Sequence, residues 1–273
     1  LRARGSRGPA MPHRVWRLII DGPVPGAMNM ALDRAVLDGR AAGTSPPTLR
    51  LYRWQVPTVS LGRFQPIAQV DLDACARRGF DVVRRPTGGR GVLHDDEVTY
   101  SIVASTADGV PRGVAACYRH LSGALAEAYS ALGVPAEVTT RTRGEKGSGA
   151  CYLHATPADL SLGAAKLSGS AQVWKGDAVL QHGCFVISRD VGAEADVFRL
   201  DERRREALGS TTATLEGVLG SRPSSEAIAE AVVTAAERVF GVSLEPGEFS
   251  EAERSFASCR VEEHAIAASS RGV

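Results

Sequence analysis

No run of apolar residues approaches the ~18 that a membrane-spanning helix requires, which leaves no candidate transmembrane helix. No Cys-x-x-Cys pair occurs. The five cysteines (Cys75, Cys117, Cys151, Cys184 and Cys259) are odd in number and widely spaced, which argues against a disulfide framework and against a zinc site. An excess of either charge is missing too. Lys and Arg total 32 against 31 Asp and Glu, a net charge of +1, where a bulk nucleic-acid binder is clearly basic. Aromatic residues make up 5%, sparse for a protein that stacks bases. The opening residues are rich in Arg and Gly and lack the apolar core of a secretory signal. Residues 1–14 read as a disordered extension with Met11 as the natural start. The whole reads as a reduced, cytoplasmic protein that engages neither nucleic acid nor membrane.

What is present is a chain of 273 residues, 44% hydrophobic and 23% charged, enough for one domain with a sizeable core. Residues 15–21 read as a strand ending at the Gly22-Pro23 breaker, and Ala27–Asp38 as a helix closed by Gly39. Short strands follow at Leu49–Tyr52, Thr58–Leu61, Asp81–Val83 and Thr99–Ala104, with a small helix at 71–78. Ala-rich helices are expected at 112–132 and 224–240, the second capped by Ser224 or Ser225 and ended by Gly241. Leu160–Ile187 reads as strands between Gly-rich turns. Strands and helices mix without a βαβ rhythm, so a single α+β domain on a mixed sheet is expected.

Three segments are candidates for chemistry. In Arg84-Arg85-Pro86-Thr87-Gly88-Gly89-Arg90-Gly91, clustered glycines let backbone amides approach a ligand, and the arginines suit a phosphate or carboxylate. The same segment also reads as a plain turn, and His94 beyond it as an ordinary structural histidine. The second segment is Lys166-Leu167-Ser168-Gly169-Ser170-Ala171-Gln172, with Leu180-Gln181-His182-Gly183 after it. Lys166 can sit at a strand end facing a cleft or be a solvated surface charge, and His182 has the same two readings. The third is Gly147-Ser148-Gly149-Ala150-Cys151-Tyr152. A thiol among small residues is accessible, and a nearby ammonium such as Lys166 would favour the reactive thiolate. Cys151 alone also reads as an inert small hydrophobe. A Gly-x-Ser-x-Gly elbow is absent, and the adjacent Asp95-Asp96 do not form an acid pair for hydrolysis.

In order, the three segments resemble the catalytic domain of the biotin/lipoate protein ligase superfamily. Arg84–Asp95 is similar to its Arg-Arg-x-Ser/Thr-Gly-Gly-Gly/Arg-Ala-Val-x-His-Asp segment. Lys166–Gln172 is similar to its Lys-Ile-x-Gly-Ser-Ala-Gln segment, and Gln181-His182-Gly183 to its Gln-His-Gly strand. Ala150-Cys151-Tyr152, set before Lys166, resembles the octanoyltransferase branch that carries its Cys upstream of the Lys. His154–Asp159 departs from that branch, which more often has Pro-Ser-x-Tyr-Glu there.

The resemblance implies one α+β domain over residues 15–250, a mixed sheet flanked by helices; weak periodicity after about 254 makes 251–273 read as a loose tail. It implies an octanoyltransferase of lipoate biosynthesis that passes octanoate from acyl carrier protein to a lipoyl-domain lysine through a Cys thioester, without cofactor or metal. Cys151 and Lys166 would be catalytic. Arg85, Gly88, Gly89, Arg90, Gly91, His94, Gly169, Ser170, Gln172 and His182 would bind substrate. The donor would be octanoyl-acyl carrier protein, and the acceptor the glycine cleavage H protein or a 2-oxoacid dehydrogenase E2. Arg141, Arg143 and Lys146 could steer these acidic partners. Rival readings are an ATP-dependent lipoate-protein ligase, an amidotransferase between lipoyl domains, and a non-catalytic acyl-binding module.

Overall fold

The computed structural model describes residues 14–139, 143–144, 149–157 and 159–266. In chain order the first half runs β1 (Arg14–Val24), α1 (Gly26–Ala41), β2 (Thr48–Trp54), β3 (Thr58–Leu61), α2 (Leu72–Arg78), β4 (Asp81–Arg84), β5 (Val92–His94), β6 (Glu97–Ser105) and α3 (Val114–Ala131). Short strands follow: β7 (Glu137–Val138), β8 (Arg143–Gly144), β9 (His154–Ala155), β10 (Leu160–Leu162) and β11 (Ala165–Ser168). The chain then forms β12 (Ser170–Lys175), β13 (Ala178–Val186), α4 (Val191–Val197), α5 (Glu202–Thr211), α6 (Leu215–Leu219), α7 (Ser225–Phe240), β14 (Val242–Pro246) and α8 (Glu251–Arg260).

Among the described residues the main sheet is mixed, in the order β12-β13-β6-β2-β1-β14, with β1 parallel to β2 and β14 and the other pairs antiparallel. Strand β6 shows how this sheet makes both a core and a site. Its Val98, Tyr100, Ile102 and Ala104 alternate onto one face and pack with α3 and α7. Glu97, Thr99 and Ser101 take the other face and are also buried. On that second face Ile19 and Val103 pack with Ala31, Leu32 and Ala35 of α1 and with Phe249 and Ala257. A smaller sheet, β4-β3-β5, stands beside it, and Arg85–Gly91 is the turn joining β4 to β5.

The expected α+β class and mixed sheet are present, and α7 has the cap and stop read from sequence. The Ser224 hydroxyl accepts from the Ala227 amide, and Gly241 is left-handed at φ 64°. Two expectations differ. Gly22-Pro23 does not end β1, because a register shift between Ile20 and Pro23 absorbs the missing donor and the strand runs to Val24. The tail after 250 is not loose through residue 266. Ser250 and Glu253 form a capping box that starts α8, and Glu253 also pairs with Arg17 at 2.7 Å. Burial opposes the Glu253 charge, but Arg17, Ser45 and Ser250 outweigh it and bring its pKa down to about 2. These anchors are polar, so apolar periodicity gave no sign of them. Residues 1–13 and 267–273, with the expectations placed on them, lie outside the described residues, and no described helix is long and apolar enough to cross a membrane.

Candidate active site

Register builds the floor of the site. Arg50 of β2 pairs with Ser101 of β6, Ser101 with His182 of β13, and His182 with Ala171 of β12, so the four side chains form one row across the sheet. Tyr52, Thr99 and Cys184 form the next row. Between this floor and the smaller sheet lies a narrow cavity of about 60 Å³. Met30, Tyr52, Trp54, Val92 and Tyr152 supply most of its apolar wall.

Half-buried Cys151 borders this cavity, and Lys166 on β11 approaches it from below. The lysine Nζ lies 3.6 Å from Cys151 Sγ and 2.9 Å from Asp159 Oδ2, and it also donates to the His154 carbonyl at 2.9 Å. Lys166 and Asp159 are only 2% and 3% exposed. Burial alone would pull the Lys166 pKa down. The Cys151 and Asp159 charges outweigh that penalty and hold it above the ordinary lysine value. Gly169 makes room for this arrangement, since a Cβ there would stand 3.2 Å from Nζ and 3.4 Å from Sγ.

The glycine-rich turn positions the cysteine through main chain. The Gly91 amide donates to the Gly149 carbonyl at 2.9 Å, and the Cys151 amide donates to the Gly91 carbonyl at 2.8 Å. The Gly91 amide, expected to be open to a ligand, is therefore taken up by the loop that carries Cys151. Arg85 differs from expectation in the same sense. It is buried, and its guanidinium donates to the carbonyls of Ser60, Gly88 and Arg90 and to the Ser60 hydroxyl. It braces the turn and also borders the cavity. Burial moves its pKa below the usual arginine value.

Both histidines sit in fixed relays. His182 Nδ1 lies 3.1 Å from Asp33 Oδ2; because a carboxylate only accepts, Nδ1 carries the hydrogen and Nε2 accepts from the Thr87 hydroxyl at 2.7 Å. Burial lowers the His182 pKa despite Asp33. The Asp33 carboxylate, opposed by burial, is kept low by His182, Arg50 and Ser101. His94 is ordered alike, with Nδ1 2.7 Å from Glu97 Oε1, Nε2 2.7 Å from Ser60 Oγ, and its ring stacked on Trp54. His94, Glu97 and Cys184 bring three possible metal donors within 4.8 Å. Those donors are already engaged with one another, Ser60 and Tyr152. Burial also pushes the Cys184 thiol well above its ordinary value, opposite to what metal ligation needs.

Of the residues singled out from sequence, Cys151, Arg85, Gly89, His94, Gly169, Ser170 and His182 border the cavity. Gly88 and Arg90, with Gly89, line a shallower surface pocket beside Phe64 and Gln65. Gln172 is turned toward α3, donating to Cys117 Sγ at 3.1 Å and to Gln181. Arg141, Lys146, Gly147 and Ser148 lie outside the described residues, as does the Arg143 side chain. Sequence reasoning gave Asp159, Asp33 and Arg50 no role in the site, although Asn29–Asp33 is similar to the family's opening helix and Asp159 falls where the chain departs from the octanoyltransferase pattern.

The chain matches the lipoyl protein ligase A/B catalytic domain family over residues 25–237. It is 39% identical over 257 residues to octanoyltransferase LipM of Moorella thermoacetica, covering 89% of this chain and 93% of the relative. It is 35% identical to octanoyltransferase LipM of Geobacillus kaustophilus, over 90% of this chain and 94% of the relative. Among solved structures it resembles lipoate-protein ligase A bound with ATP, with a TM-score of 0.76 and 24% identity over 91% of this chain and 94% of that one. It also resembles the bipartite lipoate protein ligase of Thermoplasma acidophilum, with a TM-score of 0.73 and 24% identity over 92% and 93% of the two chains. At that identity the two structures speak for the fold alone. With its motifs, fold and relatives in agreement, the chain belongs to the lipoyl protein ligase A/B catalytic domain family.

Proposed function

We propose that this chain is an octanoyltransferase of lipoate biosynthesis that works through an acyl thioester on Cys151. The observation that carries the reading is the half-exposed Cys151 thiol with a buried ammonium 3.6 Å away, at an apolar cavity. The names of the relatives support the same reaction class. In the first step the Cys151 thiolate attacks the octanoyl carbonyl on acyl carrier protein, and the carrier's thiolate leaves. This exchanges one thioester for another and is nearly isoenergetic. In the second step the ε-amine of a lipoyl-domain lysine, on an H protein or an E2, attacks the same carbonyl; a C–N bond forms and the Cys151 thiolate leaves. Amide formation makes this step downhill, so ATP is not required. Dividing the transfer in two is the usual gain of a covalent nucleophile. The Lys166 ammonium supplies positive charge beside each tetrahedral oxyanion. A cytoplasmic setting, where thiols stay reduced, suits this chemistry.

The test is intact-protein mass spectrometry after incubation with octanoyl-acyl carrier protein in the absence of ATP, with Cys151→Ser run in parallel. One octanoyl group on the wild type alone, removed by hydroxylamine, is the expected outcome. An adduct or adenylate that appears only after ATP is added would make the protein a ligase instead.

A further inference from the structure

The Lys166 amine is the nucleophile nearest to any acyl group placed on Cys151. We propose that Asp159 is a positioning residue that prevents self-acylation, by keeping Lys166 as an ammonium while the acyl group rests on Cys151. The inference rests on the transferase reading above.

The hazard follows from geometry. A thioester carbonyl carbon is bonded directly to Sγ, and Nζ lies 3.6 Å from that sulfur. A neutral Lys166 amine would attack this carbon. A C–N bond would form, the C–S bond would break, and the amine proton would end on the Cys151 sulfur. The product is an octanoyl amide on Lys166, which no thiol exchange reverses. An ammonium has no lone pair and cannot begin this reaction.

Charge near Lys166 changes during turnover. In the free enzyme two groups favour the ammonium, the Cys151 sulfur and the Asp159 carboxylate 2.9 Å away. Among the described residues Nζ also meets neutral groups: the His154 and Cys151 carbonyls, and the Tyr152 ring 5.4 Å away. Once Cys151 is acylated its sulfur can no longer carry charge. Among the described residues Asp159 is then the anion left against a lysine that is 2% exposed, where burial favours the neutral amine. The counter-charge is required at the step where the enzyme is most exposed to attack by its own lysine.

The experiment compares wild type, Asp159→Asn and Asp159→Glu, each loaded from octanoyl-acyl carrier protein and then treated with hydroxylamine. Peptide mapping locates the octanoyl group. Wild type and Asp159→Glu should carry a labile adduct on Cys151. Asp159→Asn should accumulate a hydroxylamine-resistant adduct on Lys166, rising about tenfold for each pH unit by which the ammonium's grip on its proton weakens. An Asp159→Asn adduct that stays labile and on Cys151 overturns the inference while leaving the transferase intact. A wild type that takes up no octanoyl group overturns the transferase reading, and this inference with it. If Asp159→Asn does not fold, Asp159→Ser gives the same readout: a resistant adduct on Lys166 is expected, and an adduct that stays labile on Cys151 overturns the inference.

Discussion

Two cysteines border one cavity in opposite surroundings. Cys151 is half-exposed on a loop of small residues, with the Lys166 ammonium 3.6 Å from its sulfur. Cys184 is buried on β13, beside the Glu97 carboxylate and within 3.3 Å of the Tyr152 hydroxyl. For Cys184, burial and then the Glu97 charge push the thiol well above its ordinary value. The residue type is the same and the two share a cavity wall, so local charge and access decide which sulfur can react. A site of this kind is recognised by what surrounds its thiols rather than by their presence.

Replacing each sulfur in turn gives the largest effect. Cys151→Ala should reduce octanoyl transfer by at least ~10³-fold with an unchanged circular dichroism spectrum, whereas Cys184→Ala should stay within about tenfold of wild type. Equal losses in the two variants would erase the contrast. Removing the ammonium comes next. Lys166→Ala leaves the buried Asp159 charge without its counter-ion, held among the described residues by hydrogen bonds from Thr156, and should cost about 3 kcal/mol in denaturant unfolding. In whatever fraction folds, alkylation of Cys151, followed by peptide mapping, should slow toward the rate of Cys184.

A smaller effect tests space alone. Gly169→Ala puts a methyl group 3.2 Å from Nζ and 3.4 Å from Sγ, and should slow acylation about tenfold with little loss of stability. The smallest effect concerns the floor of the cavity. Because burial depresses the His182 pKa, the folded state takes up its proton less readily than the unfolded chain. The associated stability is fully present above the unfolded-state value of about 6.5 and is lost progressively as pH falls below it, through the lower folded-state pKa. His182→Gln should flatten this part of a melting-temperature profile between about pH 7 and 5, with Cys151 alkylation at pH 8 unchanged.

The contrast between the two thiols was partly legible in the sequence. Small residues around Cys151 implied access, and the order of the three motifs brought Lys166 to it. Helix α7 could be read from Ser224, its apolar stripe and Gly241, because those signals are local. The ion pairs could not be read. Lys166–Asp159 depends on an antiparallel hairpin with a register shift between Leu160 and Ser161, and Arg50–Asp33 depends on how α1 lies over the sheet. A charged side chain looks the same in sequence whether water or a buried partner surrounds it. Helix α5 was missed for a related reason: it buries only Leu208, so it has no apolar stripe. Strand β6 did carry a usable sign, in Glu97, Thr99 and Ser101 alternating with apolar residues. The sequence alone would place that polar face in solvent, and the structure buries it, Ser101 against Asp33 of α1, Thr99 at the cavity and Glu97 against His94.

The two main-chain hydrogen bonds that Gly91 makes to Gly149 and Cys151 fasten the turn beside the cavity to the loop that bears the sulfur. Main-chain atoms are common to every residue type, so the joint itself does not depend on side-chain chemistry, but it does demand a glycine at position 91, where a Cβ would collide with the Phe198 ring. The place of the sulfur is thereby tied to the wall of the cavity through backbone alone.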